Sequence, residues 1–407
     1  MSVRSEFNEI HISGKPGIQD VRYAASAMFQ AIQNRGYEDI TLNFSGCENV
    51  FERFVLPIVC IASYYRQEFN TSFELIRPKT PRLSALFHNA NWSHLIDPAN
   101  NDETTFDGTQ HVPACQFFTP GDHYAAVDKV LDAVLGTLPD LSRDSLKALK
   151  WSLDEITDNV LQHAESKVGG FLQATTFTQS GCVEFVVADA GATIPRTLEY
   201  QNHKQAIERA IQEGVTRNKK TNRGNGLFGA YQIATLSGGS FEIVSGKGLL
   251  TAFGEAVRFG EEKIFFPGTV VASRIDCTQP DLLSRALRFE GKPHDPGFDY
   301  IEQVYEKDDG TDLVFQMSNE AASLGSREAA KSVAIKLQNL LKMNPSSRIT
   351  VDFHDVHIVS SSFADEVFGK LFKEMGPLAF MSRVEFKNVD KTVRSLIDRS
   401  IKQRASG

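Results

Sequence analysis

Apolar and polar positions in the first hundred residues follow two alternating periods. A helical spacing over 21–35 is followed by a strand pattern over 39–44, a second helix after Phe51 and a second strand over 72–76. Helices that alternate with strands are typical of an α/β layer. This part of the chain is therefore predicted to form a small open sheet with helices packed on it.

The last hundred residues repeat that order of elements. The pattern predicts helices over 326–342, 363–375 and 391–404, with strands over 348–353 and 383–386. The segment Arg348-Ile-Thr-Val-Asp-Phe aligns with Asp39-Ile-Thr-Leu-Asn-Phe, and each leads through a short turn into a helix. This internal repeat indicates a second small α/β layer, although strand-turn-helix units resemble one another by chance.

One amphipathic helix dominates the middle of the chain. Its apolar residues recur three or four positions apart, the spacing of a single buried stripe, at Leu146, Leu149, Leu153, Ile156 and Val160. Glu155, Asn159 and His163 recur every fourth residue beside this stripe, so they form a polar row about 12 Å long. Such a row can line a pocket, or it can be only the solvated face of the helix.

Glycines follow this helix where predicted elements end or begin. A strand over 182–188, which follows a strand over 170–177, runs into Asp189 and then Gly191. Glycine lets backbone pass close to a ligand, so Asp189 is either presented to a pocket or caps a turn. Further strands are predicted over 241–245, 255–259 and 269–275.

A second glycine cluster, Gly224-Asn-Gly-Leu-Phe-Gly229, begins a predicted helix. The amides of a helix N-terminus lack intrahelical partners, and they favour an anionic group such as phosphate. The segment 214–223 before it is basic and lacks apolar periodicity, so it is predicted to be a mobile loop.

Composition narrows the class of protein. The chain has 407 residues, which favours three domains over two, and a net charge of −8, which argues against nucleic-acid binding. Its five cysteines show no CxxC spacing, so reduced thiols are expected and no zinc site follows. Because the sequence shows neither an apolar leader nor a run of roughly 18 apolar residues, we expect a cytoplasmic protein with no membrane partner.

Polar stretches over 97–113 and 279–300 mark the predicted domain boundaries. The resulting prediction is an α/β domain over 1–97, a linker over 98–115, a central domain over 116–278, a linker over 279–300 and a last domain over 301–407.

Four motifs of the central domain resemble those of the GHKL ATPases, the ATP-binding fold of gyrase, the Hsp90 chaperones and the histidine kinases. Residues 155–163 resemble the N box, 189–194 the first glycine box, 224–227 the second, and Gly268-Thr269 the Gly-Thr of the closing strand. The resemblance implies an α/β protein with a central Bergerat-type sandwich, in which helices pack on one mixed sheet. It also implies ATP and Mg²⁺ as cofactors.

The resemblance assigns a role to each matching residue. Glu155 would be the catalytic residue that polarises the attacking water or acceptor hydroxyl. Asn159 would coordinate Mg²⁺, Asp189 would accept a hydrogen bond from the adenine amino group, and Thr269 would support the adenine through water. The other implied ATP-binding residues are Gly191, Gly224, Gly226 and Leu227, with Lys219, Lys220 or Arg223 neutralising the terminal phosphate.

Two positions depart from the family pattern. Thr193 stands where the first box usually has its second glycine, and Phe228 where the second box has its third. Thr193 is predicted to narrow the adenine end of the pocket, and Phe228 to stiffen the hinge of the lid. Neither change removes the metal ligand or the adenine aspartate, so the departures bear on turnover more than on binding.

The flanking domains resemble STAS-like domains. The central domain is most similar to the serine-kinase anti-sigma factors, and residues 348–368 look like the STAS-like (DUF4325-like) domains akin to their antagonists, in which a serine before a helix is phosphorylated. Ser360 and Ser361 are therefore candidate phosphoacceptors, although Val359 replaces the usual aspartate. The alternative is that these serines have no role beyond capping the N-terminus of the following helix. The N-terminal domain has no serine at the equivalent point, so it would be a docking module.

The resemblances together predict a regulatory ATPase or serine kinase whose nucleotide state controls its STAS-like domains and their protein partners. Two alternatives stay open. One is an ATP-driven clamp in which slow hydrolysis accompanies homodimer formation, and the other is a nucleotide-binding scaffold without turnover. Replacement of Glu155 would separate the scaffold from the two enzymes, and light scattering with a non-hydrolysable analogue would separate the clamp from the kinase.

Overall fold

The computed structural model describes residues 2–105, 110–215, 224–306, 312–320 and 324–406. They form two compact α/β units. The first comprises Met1–Val130, Trp151–Asp276 and Asp281–Asp295, and the second comprises Leu131–Lys150, Cys277–Pro280 and Pro296–Gly407. In these residues no helix is both long enough and apolar enough to cross a bilayer. The three predicted domains remain a prediction.

The described residues of the first unit form three sheets. Its strands are β1 (Val3–Glu6), β2 (Glu9–Gly14), β3 (Asp39–Cys47), β4 (Ser72–Ile76), β5 (His111–Phe117), β6 (Gly170–Phe177), β7 (Cys182–Asp189), β8 (Ser240–Phe253), β9 (Ala256–Asp276), β10 (Arg288–Phe289) and β11 (Lys292–Pro293). The helices are α1 (Val21–Phe29), α2 (Glu52–Phe69), α3 (Pro81–Asn89), α4 (Trp92–Ile96), α5 (Pro120–Leu135), α6 (Arg143–Asn159), α7 (Ile194–Thr197), α8 (His203–Ala210), α9 (Gly226–Leu236) and α10 (Leu282–Ala286), of which α5 and α6 carry residues of both units.

The first hundred residues form an open α/β layer, as their pattern predicts. The sheet order is β1-β2-β3-β4, with β1 antiparallel to β2 and the other pairings parallel. Alternate residues of β3 are buried, and the ring of Phe44 meets that of Phe54 on α2 at a centroid distance of 6.5 Å. The predicted helix over 21–35 is α1 extended by a π-helical turn at Gln30–Asn34.

The central sheet has the strand order β5-β6-β7-β9-β8. All pairings among these five strands are antiparallel, so the prediction of one mixed sheet is wrong. For two of the four pairings the reason is that short turns join β6 to β7 and β8 to β9, and a short turn can only join antiparallel neighbours. The two strands predicted over 255–259 and 269–275 are the single strand β9, because the polar run Gly260-Glu-Glu-Lys263 interrupts its apolar pattern without ending it.

Both faces of the central sheet are covered. Val186 and Ala188 of β7 belong to the core shared with α1 and α2, whereas Val187 and Asp189 line a cavity on the opposite face. Successive side chains of a strand point to opposite faces. The strand is therefore buried along its whole length, and the aspartate at its end is directed to the cavity.

Two arginines bind the N-terminal layer to this sheet. Arg53 of α2 donates to Glu184 of β7 at 3.1 Å and to Glu242 of β8 at 2.9 Å. Arg22 of α1, which is 1% exposed, donates to the carbonyl oxygen of Gly248 at 2.6 Å. Buried charges are tolerated only when they are paired or hydrogen bonded, so these contacts fix where the layer lies on the sheet.

Glu52→Gln is expected to stabilise the protein above pH 7. Burial raises the pKa of Glu52 from 4.5 to about 7, with a further contribution from the charge of Glu184. A carboxyl with a raised pKa costs stability once it ionises, so the gain should be absent below pH 4.5 and reach about 2 kcal/mol above pH 7. Urea unfolding at pH 4.5 and 8.5 measures it, with Glu68→Gln on the exposed side of α2 as control. Equal stability of wild type and Glu52→Gln at pH 8.5 would contradict the prediction.

The second unit has a parallel sheet of three strands in the order β12 (Asp312–Gln316), β13 (Arg348–Asp352) and β14 (Val384–Lys387). Its helices are α11 (Tyr300–Val304), α12 (Met317–Glu320), α13 (Arg327–Met343), α14 (Ser361–Ala364), α15 (Lys370–Met375), α16 (Pro377–Arg383) and α17 (Lys391–Ala405). The predicted helix over 363–375 is α14 joined to α15 by a π-helical turn at Asp365–Gly369. Within this unit, Asn339 donates to the carbonyl oxygens of Leu135 and Leu138 at the end of α5.

Candidate functional site

The first unit contains a cavity of about 380 Å³ between the central sheet and helices α6 and α9. Its size is in the range of small-molecule sites. Seven of the residues to which the resemblance assigns a role line it, and they are Glu155, Asn159, Asp189, Gly224, Gly226, Leu227 and Thr269. The structure thus brings together residues from all four motifs.

Helix α6 supplies one wall of the cavity. Its apolar stripe is buried, and this turns the row of Glu155, Asn159 and His163 towards the cavity, which all three line. The helix continues past Asn159 as a π-helical turn over Val160–Ala164. Asp158 of α6 and Gln162 of this turn line the cavity as well, although the helical spacing did not indicate them.

Glu155 lies against the first turn of α9. A methyl group at Gly226 would come within 2.1 Å of Glu155 Oε2, so any larger residue at the start of this helix would displace the Glu155 carboxyl group. Burial raises the pKa of Glu155 from 4.5 to about 7, and the charges of Asp158 and Asp154 raise it further. A carboxyl group with this pKa can take up a proton near neutral pH, which is what a general base needs.

The start of α9 has no side-chain cap. Asn225 occupies the N-cap position without hydrogen bonding the helix, and its side-chain oxygen instead accepts from the amide of Gly214 at 2.9 Å. Gly224 has a φ of +74° and lies where a Cβ would meet the backbone of Val215 at 2.5 Å. Glycine therefore allows a tight turn here, and the free amides of the first helical turn suit an anion.

Asp189 forms the buried end of the cavity. It is 4% exposed, and its carboxylate accepts a hydrogen bond from the amide of Gly191 at 2.9 Å. Burial nevertheless raises its pKa from 3.8 to about 7. Gly191 itself does not line the cavity; a Cβ there would meet the carbonyl oxygen of Ala164 at 2.0 Å, so its role is close packing behind Asp189.

Ser245 supports this end, and the motif order did not indicate it. Its hydroxyl accepts from the amide of Ile194 at 2.8 Å and lies 2.9 Å from Thr269 Oγ1 and 3.2 Å from the carbonyl oxygen of Gly268. Ser245 is fully buried. The one local signal was the neighbouring Gly246, which marks a bulge in β8.

A further wall comes from the segment predicted to be a linker over 279–300. The β10–β11 hairpin places Phe289 and, just after it, His294 along the cavity. The ring of Phe289 lies 6.3 Å from Trp151 and 6.3 Å from Phe228. Gly291 has a φ of +74° and allows the hairpin turn. This glycine was the only indication in the sequence that the polar stretch is folded.

Phe289→Ala is expected to weaken ligand binding in this cavity about fivefold, because it removes an apolar wall next to Trp151. Titration of a fluorescent ATP analogue measures the change in Kd. The control is Phe298→Ala, since that side chain is 85% exposed and lines no part of the cavity. An unchanged Kd in Phe289→Ala would show that the hairpin does not contribute to binding.

The remaining predicted residues lie elsewhere. Lys219, Lys220 and Arg223 fall outside the described residues. Ser360 and Ser361 lie in the second unit, where Ser360 accepts from the amide of Phe363 at 3.0 Å and caps α14, while Ser361 is exposed in its first turn. The N-cap interpretation of Ser360 therefore describes its contact in this structure.

The donor set of the cavity fits Mg²⁺ only together with a phosphate ligand. Within the described part of the chain, no group of three or more His, Cys, Asp or Glu residues is arranged to hold a metal ion. Mg²⁺ is commonly held by one or two protein oxygens, with phosphates and water completing the octahedron. The side-chain oxygen of Asn159, which lines the cavity, can supply such a ligand.

Comparison with known proteins identifies the C-terminal part of the chain. Residues 329–394, which contain β13, α14 and β14, match the family described as a STAS-like domain of unknown function (DUF4325). The predicted C-terminal STAS-like domain is thereby confirmed. Such domains are often protein-interaction modules. A search of curated proteins finds no match to the chain.

Proposed function

We propose that the first unit binds ATP with Mg²⁺ and acts as a regulatory ATPase or serine kinase of the GHKL type. The observation that carries this proposal is that Glu155, Asn159, Asp189 and Thr269, which come from three separate motifs, line one cavity. The five-stranded sheet with α6 and α9 on the cavity face supports a Bergerat-type sandwich as its scaffold.

The polar groups along the cavity fit the successive parts of a nucleotide, from the base to the phosphates. The buried Asp189 is an acceptor for a base amino group, and the uncapped start of α9 provides amides for phosphate. Asn159 would hold the metal ion, which would neutralise charge on the phosphates. Glu155 would then take a proton from the attacking water or hydroxyl, because its side chain lies against the same helix start.

Regulation would act through the STAS-like domain. We propose that nucleotide state controls which protein partners this domain binds, in the manner of partner switching. A phosphoserine near the start of α14 would add negative charge at a helix N-terminus, where it is stabilised and can alter a binding surface. Because both units belong to one chain, the local concentration of an acceptor serine near the kinase would be high.

Incubation of the full chain with Mg-ATP tests the proposal. Released ADP and intact protein mass are measured together, and binding is followed separately with a fluorescent ATP analogue. An added phosphate that maps to Ser360 or Ser361 supports a self-modifying kinase, and ADP without added mass supports an ATPase or a kinase with an external substrate. Binding without ADP or added mass would leave the scaffold alternative, and no ATP binding at all would overturn the proposal.

Light scattering addresses the clamp alternative. A clamp requires a dimer that forms with a non-hydrolysable ATP analogue and dissociates after turnover. A chain that stays monomeric with and without the analogue would exclude it.

A further inference from the structure

Helix α6 runs along the cavity and gives the cavity a direction. At the C-terminal end of the helix, in the π-helical turn, the carbonyl oxygen of Ala164 accepts from the amide of Ala192, three residues after Asp189. The other end of this wall of the cavity is Trp151. Trp151 precedes Glu155 by four residues, which is about one helical turn or 6 Å. It therefore lies beyond Glu155, on the side away from Asp189.

Aromatic side chains line this far end of the cavity. The ring of Trp151 packs against α9, where a Cβ at Gly229 would come within 2.3 Å of it. The β10–β11 hairpin places Phe289 at a ring-centroid distance of 6.3 Å from Trp151, and both residues line the cavity. The fully buried Leu287, just before the hairpin, accepts from the amide of His294 at 2.8 Å and anchors the hairpin at this place. Trp151 and Phe289 thus form an aromatic wall.

The aromatic wall does not suit a triphosphate. The face of an aromatic ring carries partial negative charge, so it does not attract a phosphate. In the proposed binding mode the base lies at Asp189, and the phosphates lie at the start of α9 next to Glu155. The aromatic wall is then beyond the terminal phosphate, where it can contact a second molecule but not the nucleotide base.

In-line phosphoryl transfer brings the acceptor to the same side. The attacking oxygen and the leaving oxygen lie roughly opposite each other on the transferred phosphorus, so the acceptor enters from the side remote from the base. In this step the acceptor oxygen bonds to the terminal phosphorus, and the acceptor proton passes to Glu155. The bond from that phosphorus to the oxygen of ADP breaks, and its electron pair leaves on ADP. An acceptor that reaches Glu155 from this side passes the aromatic wall.

We infer that the aromatic wall is the acceptor subsite of the proposed kinase, and that it selects a serine segment with an exposed apolar side chain close to the serine. This inference rests on the proposed function. The second unit carries a segment of this chemistry, because Ile358 is 76% exposed and lies two residues before Ser360. An apolar side chain that packs on the two rings is removed from water, and it holds the neighbouring hydroxyl near Glu155.

The test uses two synthetic acceptor peptides with the full chain at saturating Mg-ATP. One peptide has the sequence of residues 353–363, and the other has asparagine in place of Ile358. The phosphate added to each peptide is measured by mass, and the kcat/KM values for the peptides are compared. We expect the Ile358→Asn peptide to be phosphorylated about tenfold less efficiently, since it lacks one apolar contact. This comparison needs no variant of the protein.

Variants of the hairpin locate the effect. Phe289→Ala should lower kcat/KM for the unchanged peptide about tenfold and reduce the preference between the peptides to about threefold or less. Saturating ATP removes the effect of the weaker ATP binding expected for this variant. Phe289→Leu keeps an apolar surface and should retain most of the preference. Phe298→Ala, which replaces an exposed side chain outside the cavity, should leave it unchanged.

The outcomes are distinct. A preference for the apolar peptide that falls in Phe289→Ala supports the inference. Equal phosphorylation of the two peptides by the wild-type chain overturns it, as does a preference that Phe289→Ala leaves unchanged. Release of ADP without phosphate on either peptide also overturns it but leaves the proposed ATPase intact. A wild-type chain that releases no ADP overturns the proposed enzyme and the inference together.

Discussion

Asp189→Asn is expected to lower ATP affinity at least about a hundredfold while making the folded protein more stable at pH 8. In wild type the amide of Gly191 donates to this carboxylate at 2.9 Å. Asparagine must turn its oxygen towards that amide, so its NH₂ group would face the ligand. The NH₂ group of asparagine, a donor, would then face the amino group of the base, from which Asp189 is proposed to accept a hydrogen bond.

The gain in stability has a separate cause. Burial raises the pKa of Asp189 from 3.8 to about 7, so the ionised side chain destabilises the folded state at every pH above 7. This cost decreases as pH falls below 7 and disappears below pH 3.8, where the carboxyl is protonated in both states. The neutral amide avoids the cost, and we expect the free energy of unfolding to rise by about 2 kcal/mol at pH 8.

Two measurements on the same variant check this prediction, urea unfolding at pH 4 and 8 and titration with a fluorescent ATP analogue. Asp97→Asn is the control, because Asp97 is equally buried, accepts hydrogen bonds from Asn100 and lies outside the cavity. It should retain binding and gain no stability. An Asp189→Asn protein that binds ATP like wild type would show that the aspartate does not contact the ligand.

The order of motifs along the chain was enough to predict part of the lining of the cavity. Glu155 and Asn159 were predictable because helical spacing alone places them on one face beside a buried stripe. Asp189 was predictable because it ends an apolar strand just before a glycine turn, and a side chain at the end of a strand can face a cavity beside the sheet. Both signals are local, and local periods are what a single sequence expresses most clearly.

The direction of the strands could not be read from the same signals. A strand buried on both faces, such as β7, has the same apolar run in a parallel sheet as in an antiparallel one. The mixed sheet came from the family resemblance, and the hairpin connections of β6 with β7 and of β8 with β9 overturned it. Turn residues at Gly181 and Gly254 were the relevant evidence in the sequence.

Contacts between distant segments were also beyond the sequence. Phe289 lies in a polar stretch that resembles a linker, and it lines the cavity only because the hairpin folds back onto Trp151. The sequence does not distinguish Ser245 from the other serines, because its contacts with Thr269 and Ile194 exist only in the folded chain. Residues of this kind have no periodicity and no motif, so their roles depend on tertiary structure alone.

Glu155→Gln is expected to lower ATP turnover about 10²-fold to 10³-fold while leaving ATP binding within about threefold of wild type. Glutamine keeps the shape of the side chain against Gly226, where the space is narrow, but it cannot take up a proton. Loss of turnover with retained binding would separate the kinase and the clamp from the scaffold, because a scaffold needs no base.

The pH dependence of turnover identifies the base more directly than the loss itself. The pKa of Glu155 is raised to about 7, mainly by burial and then by the charge of Asp158. Only the ionised carboxylate can accept a proton, so wild-type turnover should rise with pH and level off above about 7. The residual activity of Glu155→Gln should lack this rise.

Asp158→Asn provides the matched test of that assignment. It removes a negative charge that raises the pKa of Glu155, so the midpoint of the turnover profile should move to lower pH while the rise itself remains. A midpoint that stays in place would mean that another group titrates, and a Glu155→Gln protein with full turnover would mean that no carboxylate at this position is needed. A lower midpoint of the turnover profile in Asp158→Asn, together with a flat profile in Glu155→Gln, would identify Glu155 as the group that takes the proton from the substrate. No general change in stability produces both results.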